Sequence, residues 1–275
     1  MLKLSTKRTE QTIILTMLPE GKHVRSAFLS PSSGIIDAGL SDKLILDCST
    51  IDTKSFVEIR GALKIRYSSV AFYDAPVSGG SIGAEKGTLT FMVGVSKENP
   101  NFTSIHSVLQ TMGTNIVACG GPSFGLTAKL CNNYCSALIA LATSEAYNIA
   151  IRLGMDPRVF KDVLSSSTGQ NCISDKWNPV PGLVPAAPAS HGYKPGFKVQ
   201  LMAKDFGLAV NTAKEAGAKI VLGEPGLEAY ISAAQDPACM DLDSRVIYRY
   251  IGGAENWDEQ KQEHVQSFIA ENSLH

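Results

Sequence analysis

Short apolar runs alternate with polar segments over the first part of the chain. The apolar runs occupy residues 12–18, 43–46, 69–73, 88–95 and 115–119. Each run is short enough to be a buried strand, and several of the intervening segments have the spacing of helices. Those helical segments are residues 21–29, 52–63 and 101–112. Strands that alternate with helices are typical of a doubly wound, mostly parallel sheet, so we predict an α/β fold here.

The pattern changes after Gly125. Residues 126–153 contain no Gly or Pro and are rich in Ala and Leu. If helical throughout, they would form a single helix about 42 Å long. Because the segment is apolar on most faces, we expect it to be the buried central axis of an all-helical domain. Further helices are predicted at residues 159–165, 202–216 and 227–235, with a Pro- and Gly-rich loop at residues 177–197.

Length and charge narrow the class of protein. The 275 residues suffice for two domains, which we place at residues 1–124 and 125–254, followed by a polar tail at residues 255–275. Lys and Arg number 25 against 26 Asp and Glu, with no basic block interleaved with aromatics, which argues against nucleic acid as a partner. No apolar run reaches the length of a membrane span. The N-terminus lacks the apolar run of a signal peptide.

The six cysteines predict a reduced protein rather than a metal or disulfide framework. None of them forms a Cys-x-x-Cys pair, and no histidine lies at zinc-finger spacing from them. Cys131 and Cys135 fall on the predicted long helix, where we expect packed thiols rather than ligands. A reduced, intracellular protein without a metal site fits best.

Lys129 is the residue of the long helix that is best suited to acid–base chemistry. It lies in the first turn of the predicted helix, and Asn133 follows four residues later on the same face. The first turn has partial positive charge and favours acidic side chains. A lysine held there and partly desolvated loses its proton more easily, and can act as a general acid or base near neutral pH. The alternative is a lysine that extends into solvent, which the helix alone favours.

Four motifs follow one another along the chain. They are residues 16–19 (TMLP), residues 74–80 (DAPVSGG), Gly125 with Lys129 and Asn133, and Lys204-Asp205 followed by Leu208. In this order and spacing, residues 12–251 resemble the β-hydroxyacid dehydrogenases. Residues 179–182 (PVPG) and 196–197 (GF) resemble a loop of the family's 3-hydroxyisobutyrate branch. One departure is Ser123, where the family often has Gly.

The resemblance implies an oxidoreductase that moves a hydride between NAD or NADP and C3 of a small 3-hydroxy acid. Lys129 would exchange the hydroxyl proton as general acid and base, and Asn133 would hold the substrate oxygen. Ser78 and the amides of Gly79 and Gly80 would bind the substrate carboxylate, the alternative being a plain turn. Asn132 would also contact substrate.

The resemblance also implies which residues bind the cofactor. The implied cofactor-binding residues are Leu18, Pro19, Thr50, Phe197, Lys204 and Asp205. For Lys204 the alternative is a surface charge paired with Asp205 or Glu215. The family further implies a homo-oligomer, a role in valine breakdown, and an intracellular location that is mitochondrial or cytoplasmic.

One element of the family is missing from the sequence. Family members begin with a strand, a Gly-x-Gly-x-x-Gly turn that binds the dinucleotide pyrophosphate, and a helix. No such turn occurs in the 275 residues. We therefore expect a truncated doubly wound, Rossmann-like sheet in a partial dinucleotide-binding domain. We also expect weak dinucleotide affinity and an exposed apolar edge at residues 12–18.

Three alternatives remain open at this stage. One is a reductase of another small semialdehyde, such as tartronate or succinic semialdehyde. Another is a non-catalytic truncated homologue that acts as an oligomerisation partner. The third is a wrongly assigned start codon. The sequence does not distinguish NAD from NADP, identify the substrate or give the oligomer size.

Overall fold

The computed structural model of the protein describes residues 12–258. Within that range the chain forms two compact units. The first comprises residues 12–132 and 211–217, and the second comprises residues 133–210 and 218–258. The domain boundaries expected above remain a prediction.

The first unit alternates strands and helices as the apolar pattern predicted. Its elements are β1 (Ile13–Thr16), α1 (Gly21–Leu29), a 3₁₀ turn (Ile35–Ala38), β2 (Leu44–Asp47), α2 (Thr53–Arg66), β3 (Ala71–Asp74), β4 (Val77–Ser78), α3 (Gly80–Glu85), β5 (Leu89–Val93), α4 (Phe102–Leu109) and β6 (Gly113–Ala118). Asp52 caps α2 by accepting the Ser55 N–H at 2.7 Å.

The strands form two hydrogen-bonded groups. In the first group, β1, β2 and β3 are parallel, and Thr16, Asp47 and Asp74 are aligned across it. In the second, β5 pairs with β6 in parallel but with β4 in antiparallel. The predicted mostly parallel α/β fold is confirmed. The pattern missed β4 because its two residues lie inside a motif that was interpreted as a loop.

Strand β2 is buried on both faces, which is the reason for its apolar run. Ile45 of β2 packs in a core with Phe28 of α1 and Phe56 of α2. The next residue, Leu46, points the other way and packs in a second core with Ile105 of α4. Successive strand residues face opposite sides, so helices cover both faces of a doubly wound sheet.

Strand β1 has one hydrogen-bonded neighbour, β2, among the described residues. Leu15 and the following Met17 are exposed. This matches the expected apolar edge at residues 12–18. Residues 1–11 lie outside the described part of the chain.

The second unit is helical, as predicted. A long helix, α5 (Phe124–Arg152), enters it from the first unit. The elements that follow are α6 (Pro157–Ser166), α7 (Cys172–Lys176), a 3₁₀ turn (Pro188–His191), α8 (Val199–Glu215), α9 (Gly223–Gln235), a 3₁₀ turn (Ser244–Val246) and α10 (Ile247–Tyr250). Tyr230 of α9 packs edge-on against Phe206 of α8 and donates to the Ala137 carbonyl of α5 at 3.0 Å. Of the predicted tail, residues 255–258 are described.

The expectation of a buried axis does not hold around the whole of α5, because one side of the helix is exposed. Cys131 and Cys135 are exposed, not packed, and so are Ile139, Ile149 and Leu153. Cys131, Cys135 and Ile139 follow one another at four-residue intervals and, with Ile149, lie on one side of α5, so they form an exposed stripe, while Leu153 directly follows the end of the helix. Overall apolar content did not reveal the stripe, because small and apolar residues occupy both faces of α5. Within residues 12–258 no helix is long and apolar enough to cross a membrane.

The start of α5 is packed too tightly for any side chain at Gly125. A Cβ atom there would lie 2.2 Å from the Met92 carbonyl oxygen and 2.8 Å from the carboxylate of Asp74. By contrast, a Cβ at Gly61 in α2 would have no neighbouring atom within 4 Å. Both glycines are helical, so the same substitution tests packing at one site and helix propensity at the other.

We therefore expect Gly125→Ala to reduce the free energy of unfolding by about 2–3 kcal/mol, because the strand backbone must move. Gly61→Ala should raise it by about 0.5–1 kcal/mol, since Ala has the higher helix propensity. Urea unfolding followed by circular dichroism measures both. Equal stability of the two variants would contradict the packing described for α5.

Candidate active site

The N-terminus of α5 is held by a carboxylate from a distant strand. Asp74 is the last residue of β3 and is fully buried. Its Oδ1 accepts the Ser123 N–H at 2.9 Å, and its Oδ2 accepts the Leu126 N–H at 2.8 Å. The first N–H groups of a helix have no partner within the helix, and the helix dipole favours a negative charge there. Asp74 therefore caps the helix that contains Lys129.

Burial raises the pKa of the Asp74 carboxyl above its usual value, while the N–H groups of Leu126, Ser123 and Gly125 act in the opposite direction. Ser123 has φ = 66°, a left-handed conformation that glycine adopts more easily. This explains why glycine suits the position. In the sequence, Asp74 stands out only as the first residue of the motif at residues 74–80. The lack of an acidic residue in the first turn of α5 was the one sequence signal for an external cap.

Lys129 and Asn133 are both buried, with 6% and 5% of their surface exposed. They lie one turn apart on α5, so their side chains leave the same face. The alternative of a lysine extending into solvent is therefore wrong. The helix begins at Phe124 rather than Leu126, which places Lys129 in its second turn. The effect of the helix dipole on Lys129 is correspondingly weaker than expected, since it decays beyond the first turn.

Asp205 connects Asn133 to Lys204. The Asn133 Nδ2 donates to Asp205 Oδ2 at 2.7 Å. The Lys204 Nζ lies 2.9 Å from Asp205 Oδ1, and the Asp205 side chain is buried. The ion pair that was considered as the alternative for Lys204 exists, but it is part of a buried cluster that orients the amide of Asn133.

The candidate carboxylate loop has a backbone that only glycine adopts readily. Ser78 ends β4, and Gly79 and Gly80 have φ values of 132° and 62°. A Cβ at Gly79 would lie 2.9 Å from a methyl group of Leu89. Ser78 is half-buried and both glycines are exposed. The loop is thus accessible to a solute, and its N–H groups are not shielded by side chains.

Two loops at the carboxyl ends of β1 and β2 contain the expected cofactor residues of the first unit. Leu18 and Thr50 are half-buried, and Pro19 is exposed. The Leu18 N–H donates to Ser49 Oγ at 2.9 Å. This bond joins the loop after β1 to the loop after β2. Ligands of open α/β sheets collect at this end of the strands.

Phe197 is positioned by a second buried carboxylate. Its N–H donates to Asp243 Oδ2 at 2.8 Å, and its carbonyl accepts the Ser244 N–H at 2.8 Å. A Cβ at Gly196 would lie only 2.0 Å from the same Oδ2. Burial raises the pKa of the Asp243 carboxyl, and the charge of Arg245 acts against that effect. Sequence reasoning missed Asp243, for which no local pattern gave a signal.

The side chain of Asn132 differs in exposure and direction from those of Lys129 and Asn133 on α5. Its side chain is exposed, whereas Lys129 and Asn133 are buried. At 100° per residue, three positions rotate a side chain about 60° away from the direction of Lys129. Its role in substrate binding stays a prediction.

Two family models match nearly the whole chain between them. The model for the NAD-binding region of NADP-dependent 3-hydroxyisobutyrate dehydrogenase matches residues 124–251. The model for the NAD-binding domain of 6-phosphogluconate dehydrogenase matches residues 3–121. A probable mitochondrial 3-hydroxyisobutyrate dehydrogenase of Dictyostelium discoideum is 40% identical over 221 residues, which are 80% of this chain and 67% of that protein.

The chain belongs to the β-hydroxyacid dehydrogenase family, in its 3-hydroxyisobutyrate dehydrogenase branch. The mitochondrial 3-hydroxyisobutyrate dehydrogenase of Bos taurus is 40% identical over 79% of this chain and 63% of its own length. The chain thus spans about two thirds of the curated relatives that it matches. The structure of Mycobacterium tuberculosis 3-hydroxyisobutyrate dehydrogenase with L-serine is 35% identical, with a TM-score of 0.80 over 88% of this chain and 80% of that one.

Membership in this dehydrogenase family agrees with the NAD(P)-binding fold of the first unit and with the four motifs. Among residues 12–258, no group of three or more His, Cys, Asp or Glu side chains is arranged to hold a metal ion.

Asp74→Asn tests the cap. The amide has one acceptor instead of two, and its NH₂ group would face a backbone N–H, so we expect the free energy of unfolding to fall by about 3 kcal/mol. Asp52→Asn is the matched control, because Asn is as good as Asp at a local N-cap. Urea unfolding compares the two. A loss in Asp74→Asn no larger than in Asp52→Asn would refute the cap.

Proposed function

We propose that this chain binds a nicotinamide dinucleotide and a small 3-hydroxy acid, with 3-hydroxyisobutyrate as the leading substrate. The nicotinamide, when bound, accepts a hydride from C3 of the acid or returns it to the corresponding aldehyde. The observation that supports this proposal is the burial of Lys129 and Asn133 one turn apart on α5. A buried lysine beside a fixed amide suits a reaction that moves a proton at an alcohol oxygen.

Residues of the chain transfer the proton and bind the substrate. Lys129, in its neutral form, takes the hydroxyl proton as the alcohol is oxidised and returns it in the reverse direction. Asn133, whose amide is oriented by Asp205, holds the reacting oxygen. Ser78 with the N–H groups of Gly79 and Gly80 binds the carboxylate at the other end of the substrate. We also assign Asn132 to substrate binding.

We propose the cofactor-binding residues because their side chains suit the chemistry of the cofactor. Leu18 and Pro19 supply apolar surface, and Thr50 supplies a hydroxyl, at the carboxyl ends of parallel strands. In the second unit we assign Phe197, Lys204 and Asp205 to the same role. These residues suit a nicotinamide ring, whereas a Gly-x-Gly-x-x-Gly turn for the pyrophosphate is missing from the 275 residues.

Dinucleotide affinity should therefore be weak. Titration of the 275-residue chain with NADH and with NADPH, followed by nicotinamide fluorescence, should show no saturation in the micromolar range, because contacts to the pyrophosphate supply much of the binding energy. Saturation at micromolar concentration by either cofactor would contradict this expectation.

Lys129→Met tests the chemistry. At high NAD concentration we expect kcat for 3-hydroxyisobutyrate to fall by about 10²- to 10⁴-fold, because no other group replaces the general base. KM should change little. Lys64→Met, at an exposed position near the end of α2, is the control and should retain the activity. Unchanged kcat in Lys129→Met would exclude the proposed role.

A substrate panel separates the remaining enzymatic alternatives. In the reductive direction, the semialdehyde formed by oxidation of 3-hydroxyisobutyrate at C3 should be the best substrate, ahead of tartronate semialdehyde and succinic semialdehyde. A chain that is inert with all of them but forms a discrete oligomer would instead be a non-catalytic partner. We propose a homo-oligomer in either case, supported by the exposed apolar residues Ile139 and Ile149 on α5 and Leu153 directly after it.

For location, we propose an intracellular compartment, mitochondrial or cytoplasmic. The six cysteines are free thiols, which suits a reducing environment.

A further inference from the structure

One buried carboxylate joins the two loops on the proposed nicotinamide side. Asp47 ends β2 and is 1% exposed. Its Oδ1 accepts three hydrogen bonds, from Thr16 Oγ1 at 2.9 Å, Ser49 Oγ at 2.6 Å and Ser49 N–H at 3.3 Å. Ser49 Oγ in turn accepts the Leu18 N–H at 2.9 Å. Asp47 Oδ1 thus holds Ser49, which in turn holds Leu18, next to the backbone bond from the Cys48 N–H to the Thr16 carbonyl at 2.7 Å.

The second carboxylate oxygen of Asp47 is buried too, but its hydrogen bonding differs from that of Oδ1. Asp47 Oδ2 has no hydrogen-bond partner within the described residues, although it is inaccessible to solvent. A buried carboxylate with one unsatisfied oxygen is expensive to ionise. Burial accordingly raises the pKa of Asp47 to about 6, and the charge of Asp74 contributes to the rise in a smaller measure.

We propose that Asp47 is a positioning residue for the nicotinamide half of the site, and that its ionised carboxylate holds residues 17–19 and 48–50 together in the binding conformation. The ligand named here rests on the proposed function, whereas the coupling of the two loops does not. A proton added to Asp47 would go to Oδ2, since Oδ1 already accepts three donors. The neutral acid is then a weaker acceptor, and the bonds from Thr16 and Ser49 loosen.

The charged and titratable groups around Asp47 are few. Asp74 is its partner in register on β3. Cys48 is adjacent on β2, and burial raises the pKa of its thiol to about 12, so it stays neutral. The helices that pack on this face of the sheet contain an exposed His23, the cap Asp52, and the pairs Lys22–Glu20 and Arg25–Glu58. Helix α5, whose Leu126 shares the core, contains Lys129.

The sign of the pH effect follows from the raised pKa. Asp47 is ionised above about pH 6 and neutral below it. Affinity for the nicotinamide half should therefore rise as pH increases through 6. Because one charge-assisted hydrogen bond is converted to a neutral one, the change should be about fivefold.

Asp47→Asn is the decisive variant, because asparagine has the shape of the neutral acid and cannot ionise. Binding of NAD⁺, measured by saturation-transfer NMR between pH 5 and 8, should strengthen about fivefold with pH in the original chain. In Asp47→Asn the affinity for NAD⁺ should not change with pH, and it should equal the affinity of the original chain at low pH. A residue that merely supported the fold would lower affinity equally at every pH.

A second measurement needs no ligand. The amide resonances of Leu18 and Ser49 should titrate with a midpoint near pH 6 in the original chain and not in Asp47→Asn. Thr16→Val removes one donor to the ionised form, so its midpoint should move to higher pH. This variant keeps the proposal testable if Asp47→Asn folds poorly.

His23→Gln is the control, since histidine is the side chain that ordinarily changes charge in this range and His23 is exposed on α1. Its midpoint should match that of the original chain. Loss of the midpoint in His23→Gln, its persistence in Asp47→Asn, or NAD⁺ affinity that ignores pH would each overturn the proposal. If NAD⁺ binds at no pH, the proposed function fails, while the amide titration still decides whether Asp47 couples the loops.

Discussion

The candidate site depends first on the hydrogen bonds between the Asp74 carboxylate and the start of α5. They join the carboxyl end of β3 to the N–H groups of Ser123 and Leu126. Gly94 and Gly125 are required around this carboxylate, because a Cβ at either position would overlap with neighbouring atoms. Since a helix is a stiff rod, fixing its first turn also fixes the direction in which Lys129 leaves it.

Buried carboxylates that accept hydrogen bonds from distant residues occur in each segment of the candidate site. Four buried carboxylates accept hydrogen bonds from residues 31 to 72 positions away in the sequence. They belong to Asp47, Asp74, Asp205 and Asp243. Two of them, Asp74 and Asp243, accept backbone N–H groups from a distant helix end and a distant loop, and such groups have no regular partner when buried. The desolvation of these acids is offset by the hydrogen bonds, and each segment that they hold has a defined position within its own unit.

Much of the architecture was predictable because it is local. The five apolar runs gave five of the six strands, and the absence of Gly and Pro over residues 126–153 gave α5. The four-residue spacing of Lys129 and Asn133 was enough to place them on one helical face. Strand β4 was missed because two residues give no periodicity, and the exposed stripe with Cys131 and Cys135 was missed because apolar content does not report which face is covered.

The sequence by itself determined the kind of most of the longer elements, the family and the residues that share a helix face. These properties depend on periods of two and 3.6 residues and on motifs within a few positions of each other. Only the tertiary structure decided that Lys129 is buried, that Asp205 orients Asn133, and that Asp47 and Asp74 hold loops and a helix end. Such pairings form between segments dozens of residues apart, and no local pattern encodes which distant donor a buried carboxylate will meet.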